Sequence, residues 1–152
     1  MTITTAYNST DFERLCEISD DCYTGDERPP HKTLKDMVNC CDIFLAKKEV
    51  PRDPDGGNPH DIIVGFALVR TCGNPYLWSI AVDKNFQGRG VGGNMLSRVI
   101  YYYTNLKALE ITLHVHEDNP AQCLYFKQGF RVRDVIKDYY APKNGLLMGR
   151  SM

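Results

Sequence analysis

No apolar run in this sequence approaches the roughly 20 residues that a bilayer-spanning helix needs, so a helical membrane protein is excluded. The opening MTITTAYNSTDFER is polar and lacks the apolar core of a secretory signal, which predicts a cytoplasmic protein with no membrane partner. An excess of charge of either sign is missing too: 18 Lys and Arg face 19 Asp and Glu, a formal charge of −1, and no nucleic-acid partner is expected. The six cysteines form no C-x-x-C pair and Cys40 is adjacent to Cys41, so reduced, mostly buried thiols are predicted rather than disulfides. Neither the G-x-S-x-G of a serine hydrolase nor the G-x-x-x-x-G-K-[ST] of a nucleoside triphosphate site occurs. Repeats and low-complexity segments are absent as well. What remains is ordinary for a globular chain, with 43% hydrophobic and 24% charged residues over 152 positions. One domain over residues 1–152 is expected, burying about two-thirds of the surface its unfolded form exposes.

Periodicity divides the chain into elements. A short strand, TITTAY, precedes a capping box of Thr10 and Glu13, and Phe12, Leu15, Ile18 and Cys22 then recur at helical spacing to about residue 22. YTGDERPPH breaks that helix, and TLKDMVNC forms a second. IFLAKKEV and DIIVGFALV read as strands around a long hairpin loop, PRDPDGGNPH. A turn at Gly73, Asn74 and Pro75 leads into YLWSIAV, apolar enough to be covered on both faces. Beyond a glycine-rich stretch, Val91, Met95, Val99 and Tyr102 or Tyr103 mark the buried stripe of a long helix. LEITLHVH alternates, with Ile111, Leu113 and Val115 on one face and Thr112, His114 and His116 on the other. Asn119 and Pro120 read as the N-cap and first position of the helix AQCLYFKQ, which Gly129 ends; FRVRDVIKDYY and GLLMGRS close the chain as strands around APKNG.

The glycine-rich stretch, QGRGVGG, satisfies two patterns. Through Gly88, Gly90 and Gly93 it is the G-x-G-x-x-G of a dinucleotide-binding turn, and through Gln87, Gly90 and Gly92 it is Q-x-x-G-x-G. A dinucleotide turn follows a first strand directly and has an acid at the end of the next strand. Here the glycines follow the fourth strand, after DKNFQ, and the acid near the required distance, Glu110, begins its strand. The second pattern fits its place better: a strand ends at Val82, Gln87 opens the loop, Gly88 and Gly90 clear the approach, and a helix begins whose first N–H groups lack partners and favour an anion.

SIAVDKNFQGRGVGGNML resembles the acetyl-CoA-binding motif of the GCN5-related N-acetyltransferases, the GNAT family, whose loop reads Q/R-x-x-G-x-G/A. EDNPAQCLYFKQGF resembles the same family's second signature, an Asn at a helix start, a Tyr within it and a Gly-Phe at its end. The likeness extends over nearly the whole chain and implies a single GNAT-type α/β domain, with a mixed central sheet of about seven strands flanked by about four helices. LHVHEDN and DYY carry a narrower likeness to the N-terminal peptide acetyltransferases, both the bacterial kind that modifies a ribosomal protein and the eukaryotic protein N-terminal kind.

The resemblance implies acetyl transfer from acetyl-CoA, as co-substrate, by direct attack of a primary amine on the thioester. Such transfer needs bound coenzyme, a neutral amine, oxyanion stabilisation and a proton for the thiolate. Gln87, Gly88, Arg89, Gly90, Val91 and Gly92 would hold the pyrophosphate, the backbone of Ile80, Ala81 and Val82 the pantetheine arm, and Asn119 a further coenzyme contact. Tyr125 matches the tyrosine near the coenzyme sulfur and would protonate the thiolate; by itself it reads as a core aromatic. His114, with an ordinary pKa near 6.5, would accept the amine proton directly or through water, and Tyr76 matches a tyrosine that some members use beside it. His114 and His116 share a face without a third ligand in view, so no metal is expected. Cys123 reads as a buried thiol. Tyr23, Tyr139 and Tyr140 stand on the segments that flank the peptide entrance in the N-terminal acetyltransferases. A protein or peptide α-amino group is the favoured acceptor; a small-molecule amine, a protein lysine, or a non-catalytic acetyl-CoA-binding regulatory role remain as alternatives.

Overall fold

The alternating segments assemble into one seven-stranded sheet in the computed structural model, which describes residues 1–51, 54–57 and 60–152. In chain order the elements are β1 (Thr2–Thr4), α1 (Phe12–Cys22), α2 (His31–Cys40), β2 (Asp42–Val50), β3 (His60–Arg70), β4 (Tyr76–Val82), α3 (Val91–Asn105), β5 (Glu110–His116), α4 (Gln122–Lys127), β6 (Arg131–Tyr140) and β7 (Lys143–Ser151). The strands lie in the order β1-β2-β3-β4-β5-β7-β6. Only β4 and β5 run parallel; the other neighbouring pairs are antiparallel. This is the mixed sheet and element order expected from the sequence. The hairpin loop read over PRDPDGGNPH lies partly outside the described residues.

Each face of the sheet is covered by helices, and of the residues that periodicity marked on them Leu15, Ile18, Val91, Met95 and Val99 are buried. Leu15 and Ile18 of α1 and Leu34 and Val38 of α2 pack on Leu45, Phe66 and Leu68 on one face. Leu96, Val99, Ile100 and Tyr103 of α3 pack with Leu77, Ile111, Leu113 and Val115 on the other, where Tyr125 of α4 and Phe130 join them. Fully burying a Leu, Ile, Val or Phe side chain contributes about 1.5–3 kcal/mol, so these two layers hold the frame on which the site is built. Tyr103 is the buried member of the tyrosine pair and donates to Asp42 Oδ2 at 2.6 Å, while Tyr102 is exposed. Among the described residues no helix is long and apolar enough to cross a membrane.

Several local expectations need correction. β1 ends at Thr4, because Thr4 Oγ1 accepts the Ala6 N–H at 3.1 Å and turns the chain. The capping box belongs to Asn8 and Asp11 rather than Thr10 and Glu13: Asn8 Oδ1 accepts the Thr10 N–H at 3.2 Å, and Asp11 Oδ2 accepts the Asn8 N–H at 3.0 Å. Helix α2 begins at His31, two residues before Thr33, with Leu34 N–H bonded to Pro30 O at 3.0 Å. Asn119 does bind the turn it begins, its Oδ1 accepting the Ala121 N–H at 2.9 Å, but α4 itself starts at Gln122. β4 is not covered on both faces: Leu77, Ser79 and Ala81 are buried, whereas Tyr76, Trp78, Ile80 and Val82 are half-buried. All six cysteines are free, yet only Cys16 is buried. Cys123 is exposed, since α4 turns Tyr125 rather than its neighbour toward the sheet.

Candidate active site

The site begins with a failure of pairing. β4 and β5 bond only at Tyr76↔Thr112 and Leu77↔Leu113, yet β4 continues to Val82 and β5 to His116. One extra residue in β4, Trp78, interrupts the ladder to β3 between Leu68↔Ser79 and Val69↔Leu77, a bulge that bends the strand. Beyond it the strands diverge, and a groove of about 950 Å³ opens between them. Asp83 donates its N–H to Val64 O on the β3 side at 2.8 Å. By strand alternation the N–H and C=O groups of Val82 and Ile80 therefore face the groove, while the Ala81 side chain enters the core below α1. Both carbonyls accept from neighbouring side chains, so the N–H groups are the ones that suit a carbonyl of a chain laid between the strands.

The far end of the groove is the glycine loop. Gly88 and Gly90 have φ of +76° and +83°, and a Cβ at either would meet nothing within 4 Å. Backbone conformation, rather than crowding, thus demands glycine there. Gly90 leads directly into α3, where the first helical bond is Asn94 N–H to Gly90 O at 3.0 Å, leaving the N–H groups of Val91, Gly92 and Gly93 without intrahelical acceptors. That end attracts an anion by about 0.3–1 kcal/mol at an exposed site, and more when partly buried. Arg89 adds a cation beside it, its guanidinium 5.4 Å from the centre of the Phe86 ring. Gln87 is turned back: its Nε2 donates to Val82 O at 3.0 Å, so its amide closes the strand end instead of reaching into the loop. Cys22, marked in the sequence only as a helix-stripe residue, lines the groove and donates its Sγ–H to the same carbonyl at 3.0 Å.

At the other end a second cavity, of about 220 Å³, lies over β5. Tyr76 Oη and His114 Nδ1 are 2.6 Å apart. The parallel register that sets Tyr76 beside Thr112 brings this pair together. Burial, and next the charge of Arg70, hold the His114 imidazolium below its ordinary pKa, so the ring is a neutral acceptor over most of the physiological range. Burial raises the Tyr76 hydroxyl, assisted by Tyr139 and Tyr140, and keeps it protonated. Tyr139 stacks flat on His114, with centroids 4.6 Å apart and planes 9° apart. It can lie there because β7 presents Gly145 beneath it, where a Cβ would stand 2.8 Å from Tyr139 Cβ. Tyr140 meets Tyr139 edge-on at 4.9 Å, and its hydroxyl is pushed up to about 12, first by burial. Tyr23 closes the opposite wall, with Oη 3.0 Å from Ser79 Oγ and donating to Ile80 O at 3.2 Å.

Tyr125 stands where the groove and the second cavity meet and lines both. Its ring packs on Phe130 at 5.9 Å. Among the described residues nothing hydrogen-bonds its hydroxyl, although the residue is only 6% exposed. Burial, then nearby Tyr23 and Tyr140, raise its pKa, so the phenol keeps its proton. Asn119 also borders both cavities, as do Ile80 and Tyr23. A buried phenol shared by a long groove and a small pocket, with a neutral imidazole also lining that pocket, provides a proton donor and a proton acceptor at one site. Of the residues expected to act, all but Arg89 line one cavity or the other, and Gln87 turns its side chain back to the strand end. Glu27 and His116, neither expected to act, line both cavities as well.

The site is thus a groove between splayed parallel strands that ends at a glycine loop and the start of a helix. The sequence model of the acetyltransferase (GNAT) family matches residues 12–130, and the chain belongs to that family. It is 30% identical over 146 residues to the [ribosomal protein bS18]-alanine N-acetyltransferase of Haemophilus influenzae, covering 95% of this chain and 92% of that one. Solved structures share the fold. The ribosomal-protein-S18-alanine N-acetyltransferase of Escherichia coli superposes with a TM-score of 0.79 at 20% identity, over 99% of this chain and 92% of that one. A GNAT family acetyltransferase of Elizabethkingia anophelis, solved with acetyl-CoA bound, gives 0.77 at 18%, over 99% and 97%.

Proposed function

We propose that residues 1–152 form one acetyltransferase domain that moves the acetyl group of acetyl-CoA to the free α-amino group of a protein or peptide. The observation that carries this reading is the meeting of the two cavities at Tyr125. The glycine loop and α3 start would hold the pyrophosphate, and the groove-facing backbone of Ile80 and Val82 the pantetheine amides, which brings the thioester to the junction. There the acceptor amine enters past Tyr23, Tyr139 and Tyr140 and gives up a proton to the Tyr76–His114 pair. Its nitrogen bonds the acetyl carbon, the carbon–sulfur bond breaks, and Tyr125 delivers its proton to the departing thiolate.

The small pocket supports an unhindered chain end as acceptor, and the bS18-alanine N-acetyltransferase relative supports an N-terminus in particular. Amine acidity supports it too: an α-amino group of pKa about 7.7–8.0 is roughly a tenth neutral at pH 7, whereas a lysine of pKa about 10.4 is almost wholly charged. A weak base such as His114 is adequate for the first and strained for the second. We also propose a cytoplasmic location, which six free cysteines support. Incubation with acetyl-CoA and a mixture of N-terminal peptides, lysine peptides and polyamines, followed by mass analysis of products, tests the reading; polyamine or lysine products alone would overturn it.

A further inference from the structure

Two of the residues that border both cavities, Glu27 and His116, have no part in the reaction derived above. His116 ends β5, on the same face as His114. Its Nδ1 accepts the Asp118 N–H at 3.0 Å, which in the neutral ring leaves the proton on Nε2. That nitrogen is 3.5 Å from Oε1 of Glu27, in the turn between α1 and α2, and the Tyr140 ring covers the imidazole at 5.3 Å. The carboxylate is thus held beside a ring that is itself contacted on two sides.

Glu27 is the one carboxylate that borders the acceptor pocket among the described residues, and no Lys or Arg pairs with it there. The adjacent Arg28 points elsewhere, its Nε donating to Tyr23 O at 3.2 Å. Asp118, the other acid on the groove, is engaged by Lys143 at 3.3 Å. An ionised carboxylate has about four acceptor positions, so one long imidazole contact leaves most of them open. An α-amine of pKa about 7.7–8.0 reaches the pocket roughly nine-tenths protonated at pH 7. The pocket lining therefore offers a carboxylate without a Lys or Arg partner to a ligand that arrives as a cation.

We propose that Glu27, beside His116, is the docking carboxylate for the acceptor's ammonium group. This rests on the reading that an N-terminal amine is the acceptor. Glu27 touches the acceptor, and His116 acts through Glu27 as a positioning residue. The ammonium binds at Glu27 and releases one proton to solvent water, and the neutral amine gives its second proton to the Tyr76–His114 pair as it attacks. Because a nearby anion favours the charged amine, Glu27 assists capture rather than chemistry, and its contribution falls on KM.

The test compares a short free-amine peptide with the same peptide lacking its α-amino group, the first read as KM and kcat and the second as an inhibition constant. Glu27→Gln is expected to raise KM roughly 10- to 100-fold, the span of a hydrogen bond to a charged group, with kcat unchanged or higher and the desamino inhibition constant unchanged. Glu27→Asp should recover part of the KM loss, and His116→Asn should show a smaller increase of the same kind. An unchanged KM in Glu27→Gln overturns the proposal, as does a parallel rise in KM and in the desamino inhibition constant, which would mark a misshapen pocket. Failure of the unaltered enzyme to acetylate any N-terminal peptide is a different result, and it overturns the acceptor reading itself.

Discussion

Tyr125→Phe removes a single oxygen from a ring that is 6% exposed, and the structure separates its cost to stability from its cost to rate. No described residue hydrogen-bonds the hydroxyl, so the change strands no partner, and the contact with Phe130 at 5.9 Å is kept. Stability should therefore fall by less than about 1 kcal/mol, the net worth of an ordinary hydrogen bond. The rate should respond differently. General-acid effects span roughly 10²- to 10⁴-fold, but a thiol of pKa about 8.5 leaves as a fairly stable anion, which moves the expected loss in kcat to about 10- to 1000-fold. That is about 1.4–4 kcal/mol of transition-state stabilisation. Since burial raises the Tyr125 pKa, the native enzyme should keep this donor protonated beyond the usual tyrosine range near 10. Thiol release at saturating acceptor gives kcat, calorimetry gives acetyl-CoA affinity, and thermal melting gives stability. An unaltered kcat would return Tyr125 to the core, and a loss of affinity equal to the loss of rate would make it a coenzyme contact instead of an acid.

Two further predictions concern the loop and the base. Coenzyme A compounds should raise the melting temperature with concentration while NAD and NADP do not, and Gly90→Glu should abolish the shift, because it forces a side chain onto φ of +83° and sets a carboxylate where an anion must bind; a shift with NAD, or normal acetyl-CoA binding by the variant, would refute the loop assignment. His114 must be neutral to accept a proton, and its pKa lies below 6.5, so kcat/KM should fall on the acid side with a limb centred below that value, apart from the amine's own titration near pH 8. His114→Ala should remove the lower limb and keep the upper one; an unaltered acid limb would take His114 out of the mechanism.

The features legible in the sequence are those fixed by local chemistry. Alternation in LHVH placed His114 and His116 on one face of β5, and helical spacing marked the buried residues Leu15 and Ile18 of α1 and Val91, Met95 and Val99 of α3. The glycine loop was legible because φ above zero at Gly88 and Gly90 leaves few other residues possible. What depends on register was not. The Tyr76–His114 contact follows from a parallel pairing between strands separated by the whole of α3, and the groove follows from one extra residue at Trp78 that carries no local signal. Glu27 read only as part of a chain break, since nothing in YTGDERPPH says that the turn folds back over the end of β5. The capping error at the start of α1 has the same cause on a smaller scale: Asn8-x-x-Asp11 and Thr10-x-x-Glu13 both fit the pattern, and the separate 3-10 turn over Ser9–Asp11 ahead of α1 decides between them.

The acceptor is the central claim, and one comparison of rates tests it most directly. A peptide with a free N-terminus and the same peptide blocked at its N-terminus but carrying an internal lysine are offered separately with saturating acetyl-CoA, and product is measured by mass at pH 7. The account predicts that the free N-terminus is acetylated at least about ten times faster, because its amine is far more often neutral and because the pocket between Tyr23, Tyr139 and Tyr140 admits a chain end more readily than an internal loop. Equal rates, or faster acetylation of the lysine peptide, would contradict it.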